Sequence, residues 1–257
     1  MSRSNASSLP PRLPHLSDVL RRVKNGAIGT EDSANIRYTI AALSYRGYWT
    51  SRGRPSQRGL ELDAEAALSW AKSRYVSESE ELRLVLWGQS IGAGVATTAA
   101  ANDMSDVASG SSSTSPSPSP RLIKGLILET PFISVRSMLT ALYPQRWLPY
   151  RYLGPFLWNL WDNEVALRRV ASTCTKQTSR DSGVDHPQIL ILQAGQDELV
   201  PSEQAEELET CCRQLGFSSI DRRVIVGALH TEVMTRCDGQ RAVAEKLRVL
   251  GGTAKFP

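Results

Sequence analysis

The stretch LRLVLWGQSIGAGVATTAA, at residues 82–100, constrains the fold of this chain more than any other part of it. Its first half is a nearly continuous apolar run, which is typical of a strand covered on both faces of a sheet. A Gly-x-Ser-x-Gly turn follows at once, and the small residues after it are typical of a closely packed helix. The stretch therefore predicts a strand, a tight turn and a helix in immediate succession.

Ser90 lies at the centre of this turn, between Gly88 and Gly92. The glycines either simply close a tight turn or form a nucleophile elbow, in which the serine is exposed and its neighbours two positions away must be small. In an elbow, the N-terminus of the following helix stabilises negative charge on the reacting group. We therefore predict Ser90 as a nucleophile and the N–H group of Ile91 as one oxyanion donor.

A serine hydroxyl needs a general base, which is nearly always a histidine held by an acid. The chain has only three histidines, His15, His186 and His230. Active sites of open α/β sheets collect at the carboxyl ends of the strands. His230 follows the last predicted strand, whereas His186 precedes a strand and His15 lies in a basic N-terminal segment. These positions predict His230 as the base.

Two carboxylates compete for the role of the acid. Asp197 follows the strand predicted at residues 187–195 and is favoured over its neighbour Glu198, and Glu129 ends the strand predicted at residues 122–130. The chain order Ser, Asp, His favours Asp197. Glu129 remains the alternative, and either carboxylate could instead cap the next helix.

Strand and helix patterns alternate along most of the chain. Strands are predicted at residues 35–45, 82–88, 122–130 and 187–195 and within 221–230, and helices at 12–24, 60–75, 202–216, 235–251 and from about residue 90. This alternation predicts one α/β domain over residues 1–257, with a mostly parallel sheet and helices on both faces.

Two segments interrupt this alternation. Residues 104–120 are rich in Ser and Pro, so we predict a disordered surface insertion. Residues 131–184 contain a densely aromatic run, which predicts a small helical cap. Such a cap either packs on the sheet edge or lines an apolar acyl pocket.

Composition excludes several classes of function. The formal net charge is +4, but the basic residues are scattered and do not interleave with aromatics, so we expect no nucleic-acid partner. The four cysteines and three histidines lack zinc spacing, so we expect no metal site. No apolar run approaches about 18 residues and no signal peptide is evident. We expect an intracellular protein, either cytoplasmic or membrane-associated.

Five segments in combination resemble the α/β hydrolases of the bud emergence protein 46 and α/β hydrolase domain-containing protein 13 type. These segments are SYRGYWTSRGRPSQRGLELDAEAAL, GQSIGAG, ETPFIS, GQDELVP and the LH pair. The resemblance extends from about Asn5 to about Leu247. It implies an α/β-hydrolase fold and a serine hydrolase with Ser90 as nucleophile, Asp197 as acid and His230 as base.

The resemblance also implies a second oxyanion donor, from a His-Gly-Asn-Ala-Gly-like loop after the family's third strand. Residues 4–7, Ser-Asn-Ala-Ser, match the middle of that loop, so Asn5 is the implied donor. We therefore expect a form truncated at the N-terminus, without the first three strands. The third strand of this fold lies between the fourth and fifth, so we expect a gap unless residues 35–45 pair directly with residues 82–88.

These observations predict a serine hydrolase that cleaves an ester or thioester through an acyl-enzyme, without a cofactor. The resemblance implies a small-molecule or acylated-protein substrate and peripheral membrane contact. A catalytically inactive fragment or interaction module is the alternative that the incomplete N-terminus favours. A serine peptidase of the same fold is the lesser alternative.

Overall fold

The computed structural model describes residues 9–26, 36–76, 81–109, 122–142, 160–177 and 186–252. Strands and helices alternate through these ranges. The strands are β1 (Leu84–Gln89), β2 (Ile123–Glu129), β3 (Gln188–Ala194) and β4 (Ile220–Ile225). The helices are α1 (Leu13–Gly26), α2 (Gln57–Tyr75), α3 (Ile91–Ser109), α4 (Val135–Leu142), α5 (Asn163–Gln177), α6 (Ser202–Gln214) and α7 (Cys237–Gly251).

The four strands form one parallel sheet in the order β1-β2-β3-β4. Their carboxyl ends meet at one edge, where Gln89 of β1 pairs with Glu129 of β2, and Glu129 pairs with Leu192 of β3. The connections that follow β1, β3 and β4 begin at this edge. The predicted parallel sheet is confirmed, and its carboxyl edge is where we expect an active site.

Helices cover both faces of the sheet, as predicted. In β2, Leu126 and Leu128 face a core formed with α3, α5 and α6, whereas Ile127 faces a second core formed with α1 and α7. The alternation follows from the two-residue period of a strand. Both faces are apolar because both are buried, which explains why the sequence of this strand is a continuous apolar run.

The strand predicted at residues 35–45 is wrong for residues 36–45, which are described and lie outside any strand. Tyr38 packs against the core beneath α1 and α7, and Tyr45 packs against the core beneath α2. The apolar pattern thus reports burial, but a strand also needs a neighbour with which to share hydrogen bonds. Within the described ranges β1 is the outer strand, so residues 36–45 do not pair with it.

The predicted insertion needs correction at its start, and the predicted cap is described only in part. Helix α3 continues to Ser109, so residues 104–109 are helical. The side chain of Met104 is buried in the core against α5, which favours the longer helix. The rest of the predicted insertion, residues 110–120, lies outside the described residues. Within the predicted cap, α5 buries Leu167 and Val170 against α3 and belongs to the helical layer on the sheet. The aromatic run at residues 143–159 also lies outside the described residues.

Candidate active site

Ser90 lies between the end of β1 at Gln89 and the start of α3 at Ile91. Its φ of +53° is in the left-handed region, which residues other than glycine adopt infrequently. The Ser90 N–H group donates to the carbonyl oxygen of Glu129 at 2.8 Å, which fixes the turn to the neighbouring strand. The strand, strained turn and helix predicted from the sequence are all present.

The glycines around Ser90 have different roles. A Cβ atom on Gly88 would lie 1.9 Å from the carbonyl oxygen of Gly92, so this position requires glycine, as predicted. A Cβ atom on Gly92 would meet no atom within 4 Å in the described part of the chain, so none of these residues imposes the expected steric need at Gly92. A Cβ atom on Gly94 would lie 3.2 Å from Cβ of Trp161. The missing side chain at Gly94 therefore leaves room for Trp161, which precedes α5 and packs against α3.

His230 and Asp197 form a pair at the same edge of the sheet. The Nδ1 atom of His230 lies 2.9 Å from both Oδ1 and Oδ2 of Asp197. The two side chains are 5% and 6% exposed, so water competes little for this contact. An acid that binds Nδ1 orients the imidazole and leaves Nε2 for a substrate or nucleophile.

Asp197 is held as a carboxylate. Burial raises the pKa of Asp197, but hydrogen bonds from His230 and from the N–H groups of Val200 and Leu199 outweigh it and lower that pKa below its usual value. The two N–H groups donate to Oδ1 at 2.8 and 2.9 Å. The carboxylate is therefore charged at neutral pH and fixed by its own loop.

Glu129, the alternative acid, binds other partners. Its buried side chain pairs with Arg12, whose Nη2 atom lies 2.6 Å from Oε2, and Nε1 of Trp87 donates to the same oxygen at 3.3 Å. Among the described residues, the carboxylate in contact with the His230 ring is that of Asp197. The geometry therefore favours Asp197 over Glu129 as the orienting acid.

Neither of the other two histidines follows a strand at this edge. His15 is in α1, and His186 precedes β3 at the opposite edge of the sheet, where its ring lies 4.8 Å from that of Phe217. His230 alone of the three follows a strand at the carboxyl edge. Asn5, the implied second oxyanion donor, lies outside the described residues.

Three further residues lie at this edge whose roles the sequence did not indicate. Gln89 donates from Nε2 to the carbonyl oxygen of His230 at 3.2 Å, and Glu198 accepts from the N–H group of His230 at 2.9 Å. Arg12 bonds to the side-chain oxygen of Gln89. Gln89 and Glu198 are sequence neighbours of Ser90 and Asp197, and this adjacency is all that the sequence offers to connect them with the site. The sequence does not connect Arg12 with the site, because its partners Gln89 and Glu129 are distant in sequence.

Comparison with known proteins supports the same fold. No family model matches the chain. Solved structures include the esterase Pf2001 of Pyrococcus furiosus, with a TM-score of 0.50 and 18% identity over 80% of this chain and 67% of the esterase. The chain therefore has the α/β-hydrolase fold.

Homologues of the chain include known α/β-hydrolase domain proteins. The lysophosphatidylserine lipase ABHD12 of Danio rerio is 30% identical over 177 residues, which are 68% of this chain and 40% of the lipase. Protein bem46 of Schizosaccharomyces pombe is 25% identical over 209 residues, 81% of this chain and 54% of bem46. An uncharacterized protein of Mycobacterium tuberculosis is 29% identical over 170 residues, 66% and 46% of the two chains. The chain spans about half the length of these relatives.

One relative is a membrane protein by name, an uncharacterized one of Saccharomyces cerevisiae that is 29% identical over 174 residues, 67% of this chain and 49% of the relative. In the ranges of this chain that are described, none of the helices combines the length and apolar character needed to span a bilayer.

Proposed function

We propose that this protein is a serine hydrolase that cleaves carboxylic esters or thioesters through Ser90, His230 and Asp197. The observation that carries the proposal is the buried Asp197–His230 pair, at the sheet edge where Ser90 occupies a strained strand-to-helix turn. Scaffolding alone requires neither a left-handed serine nor a histidine held by a carboxylate.

In the acylation step, Oγ of Ser90 attacks the carbonyl carbon of the substrate while Nε2 of His230 takes the hydroxyl proton. Asp197 stabilises the resulting imidazolium through Nδ1. The N–H group of Ile91, at the first turn of α3, donates to the oxyanion, because the first N–H groups of a helix have no acceptor within it. His230 then returns the proton to the leaving alcohol or thiol, and Ser90 remains acylated.

In the deacylation step, His230 takes a proton from water, and the hydroxide oxygen attacks the acyl carbonyl. The tetrahedral species collapses to a carboxylic acid, and the proton on Nε2 returns to Oγ of Ser90. One water is consumed, and one ester bond is broken. The proposed chemistry uses protein side chains and water, without a cofactor.

The proposed substrate is a small molecule or an acylated protein. A relative's name, lysophosphatidylserine lipase, describes hydrolysis of a carboxylic ester. A thioester passes through the same type of tetrahedral intermediate, so the same residues serve both. Peripheral membrane contact and a cytoplasmic or membrane-associated location stay predictions from the sequence.

The test is covalent labelling with a fluorophosphonate probe, which reacts with an activated serine. We expect labelling of the parent and its loss in Ser90→Ala and His230→Ala. Ser172→Ala, which removes an exposed hydroxyl from α5, and His15→Ala, which removes an imidazole from α1, are matched controls and are expected to label normally.

Labelling that survives Ser90→Ala would contradict the assignment of the nucleophile. A folded parent that is not labelled would contradict the hydrolase proposal and favour an interaction module. Peptide hydrolysis by a labelled parent, without ester or thioester hydrolysis, would favour the peptidase alternative.

A further inference from the structure

The backbone of His230 is held on both sides by side chains. Its N–H group donates to Oε2 of Glu198 at 2.9 Å, and its carbonyl oxygen accepts from Nε2 of Gln89 at 3.2 Å. Gln89 is the residue immediately before Ser90. This hydrogen bond therefore joins the loop that carries His230 to the strand end that leads into the turn at Ser90.

The other end of the Gln89 amide is held as well. Its Oε1 atom accepts from Nη1 of Arg12, and Nη2 of the same guanidinium lies 2.6 Å from Oε2 of Glu129. The Glu129 side chain is fully buried, and that of Arg12 is 25% exposed. The chain of contacts thus runs from a buried carboxylate on β2, through Arg12 and Gln89, to the backbone of His230.

The loop between β4 and α7 passes through turns and a 3₁₀ helix at Val233–Thr235, and the hydrogen bond from Gln89 is one of the contacts that fix its backbone at His230. Asp197 binds the His230 ring at Nδ1 only, so the direction of Nε2 also depends on where the backbone lies. A displacement of about 1 Å at a reacting group costs on the order of a hundredfold in rate.

We propose that Gln89 is a positioning residue, which Arg12 and Glu129 hold in place and which keeps His230 aligned with Ser90. This inference rests on the proposed function, since it assigns a role in the same site. It assigns Arg12 of the N-terminal segment, Gln89 of β1 and Glu129 of β2 to the group of residues that position His230.

The alternative is that the cluster only neutralises Glu129. In that case Gln89 merely completes the hydrogen bonds of Arg12, and its contact with His230 is incidental. Gln89→Glu separates the two roles, because a carboxylate keeps an acceptor for Arg12 at the same length but removes the N–H donor that faces the His230 carbonyl.

The sheet contains a matched control in Gln193 of β3. Its Oε1 atom accepts from Nη1 of Arg222 at 2.8 Å, and its Nε2 atom donates to the carbonyl oxygen of Ser202 at 3.4 Å. Gln193→Glu makes the same chemical change between an arginine and a backbone carbonyl. Because that carbonyl belongs to Ser202 at the start of α6, the change does not touch the loop that carries His230.

The kinetic test measures p-nitrophenyl acetate hydrolysis and thermal unfolding for the parent and both variants. Gln89→Glu is expected to lower kcat by at least about tenfold, with KM within about twofold and an unchanged unfolding midpoint. Gln193→Glu is expected to keep kcat within about twofold of the parent. A Gln89→Glu protein as active as the parent would overturn the positioning role, as would a loss that follows the unfolding midpoint.

A second readout does not depend on turnover. The chain has three histidines, so the ring signals of His230 in a ¹H–¹⁵N NMR spectrum are assigned by their loss in His230→Ala. We expect Gln89→Glu to shift these signals and Gln193→Glu to leave them in place. Unshifted His230 signals in Gln89→Glu would overturn the positioning role. A folded parent that does not react with the fluorophosphonate probe would contradict only the proposed function.

Discussion

The Nδ1 atom of His230 lies 2.9 Å from both carboxylate oxygens of Asp197, although 33 positions separate the two residues in the sequence. Two strand ends bring them together, because β3 and β4 are parallel neighbours and each residue follows its strand at the carboxyl edge. Burial of both side chains makes the contact strong. The pair therefore bears on stability and on the proposed catalysis.

Asp197→Asn is expected to lower the rate of fluorophosphonate labelling by roughly 10²–10⁴-fold, because an amide no longer stabilises the imidazolium or fixes its tautomer. The labelling rate at pH 7 measures the effect. Asp162→Asn is the control, since Oδ1 of Asp162 also accepts a backbone N–H group, that of Val165 at 2.9 Å. Equal rates in Asp197→Asn and the parent would exclude Asp197 as the acid.

Acid pH is expected to remove a stabilising contribution of Asp197. Its pKa is lower in the folded protein than its ordinary value, so the carboxylate stabilises the fold above about pH 4. That stability is lost as the pH falls through the lower, folded-state pKa. The difference in unfolding free energy between the parent and Asp197→Asn should therefore be larger at pH 7 than at pH 3. An equal difference at both pH values would contradict the assignment.

Gly88→Ala is expected to lower the free energy of unfolding by about 1–3 kcal/mol or more, because its Cβ atom would lie 1.9 Å from the carbonyl oxygen of Gly92. Gly92→Ala is the matched control in the same turn. It should leave stability unchanged or raise it by up to about 1 kcal/mol, since alanine is the better helix former. Urea unfolding measures both. Similar losses in the two variants would contradict the packing described for the turn.

Arg12→Met is expected to destabilise the protein by about 2–3 kcal/mol, because it leaves the buried Glu129 carboxylate without its cation. The double variant Arg12→Met/Glu129→Gln should recover part of this loss, since a neutral amide costs less to bury. Urea unfolding of the single and double variants gives the coupling energy of the pair. Additive losses would show that the ion pair contributes little.

Lys246→Met is expected to raise the free energy of unfolding at pH 7 by on the order of 1–3 kcal/mol. Lys246 is 3% exposed, and burial lowers its pKa to about 8, against a smaller opposing effect of Asp221. The unfolded chain binds the proton more tightly, so the parent should gain stability as the pH rises from about 8 to about 10.5. The advantage of the variant should therefore shrink over this range.

Unfolding free energies at pH 7 and pH 10 test this prediction. Lys24→Met, which removes an exposed lysine from α1, separates the effect of burial from that of one charge. An advantage of Lys246→Met that stays constant with pH would show that better packing, and not the buried charge, is its cause.

Much of the fold was predictable from contiguous residues. Apolar runs marked β1, β2 and β3, and the alternation of strands with helices indicated the parallel sheet. The predictions that were wrong concern segments whose structure depends on residues distant in sequence. Residues 36–45 carry a strand-like pattern but pair with no strand, and residues 104–109 continue α3 because Met104 meets a core built with α5.

The sequence by itself determined the turn at Ser90, because an apolar strand, Gly88 and a small-residue helix impose that geometry locally. It also placed Asp197 and His230 after strands. Only the tertiary structure decided that Asp197, and not Glu129, contacts the His230 ring. Glu129 is instead paired with Arg12, 117 residues away. Such choices depend on which elements pack side by side, and no local pattern of residues encodes that.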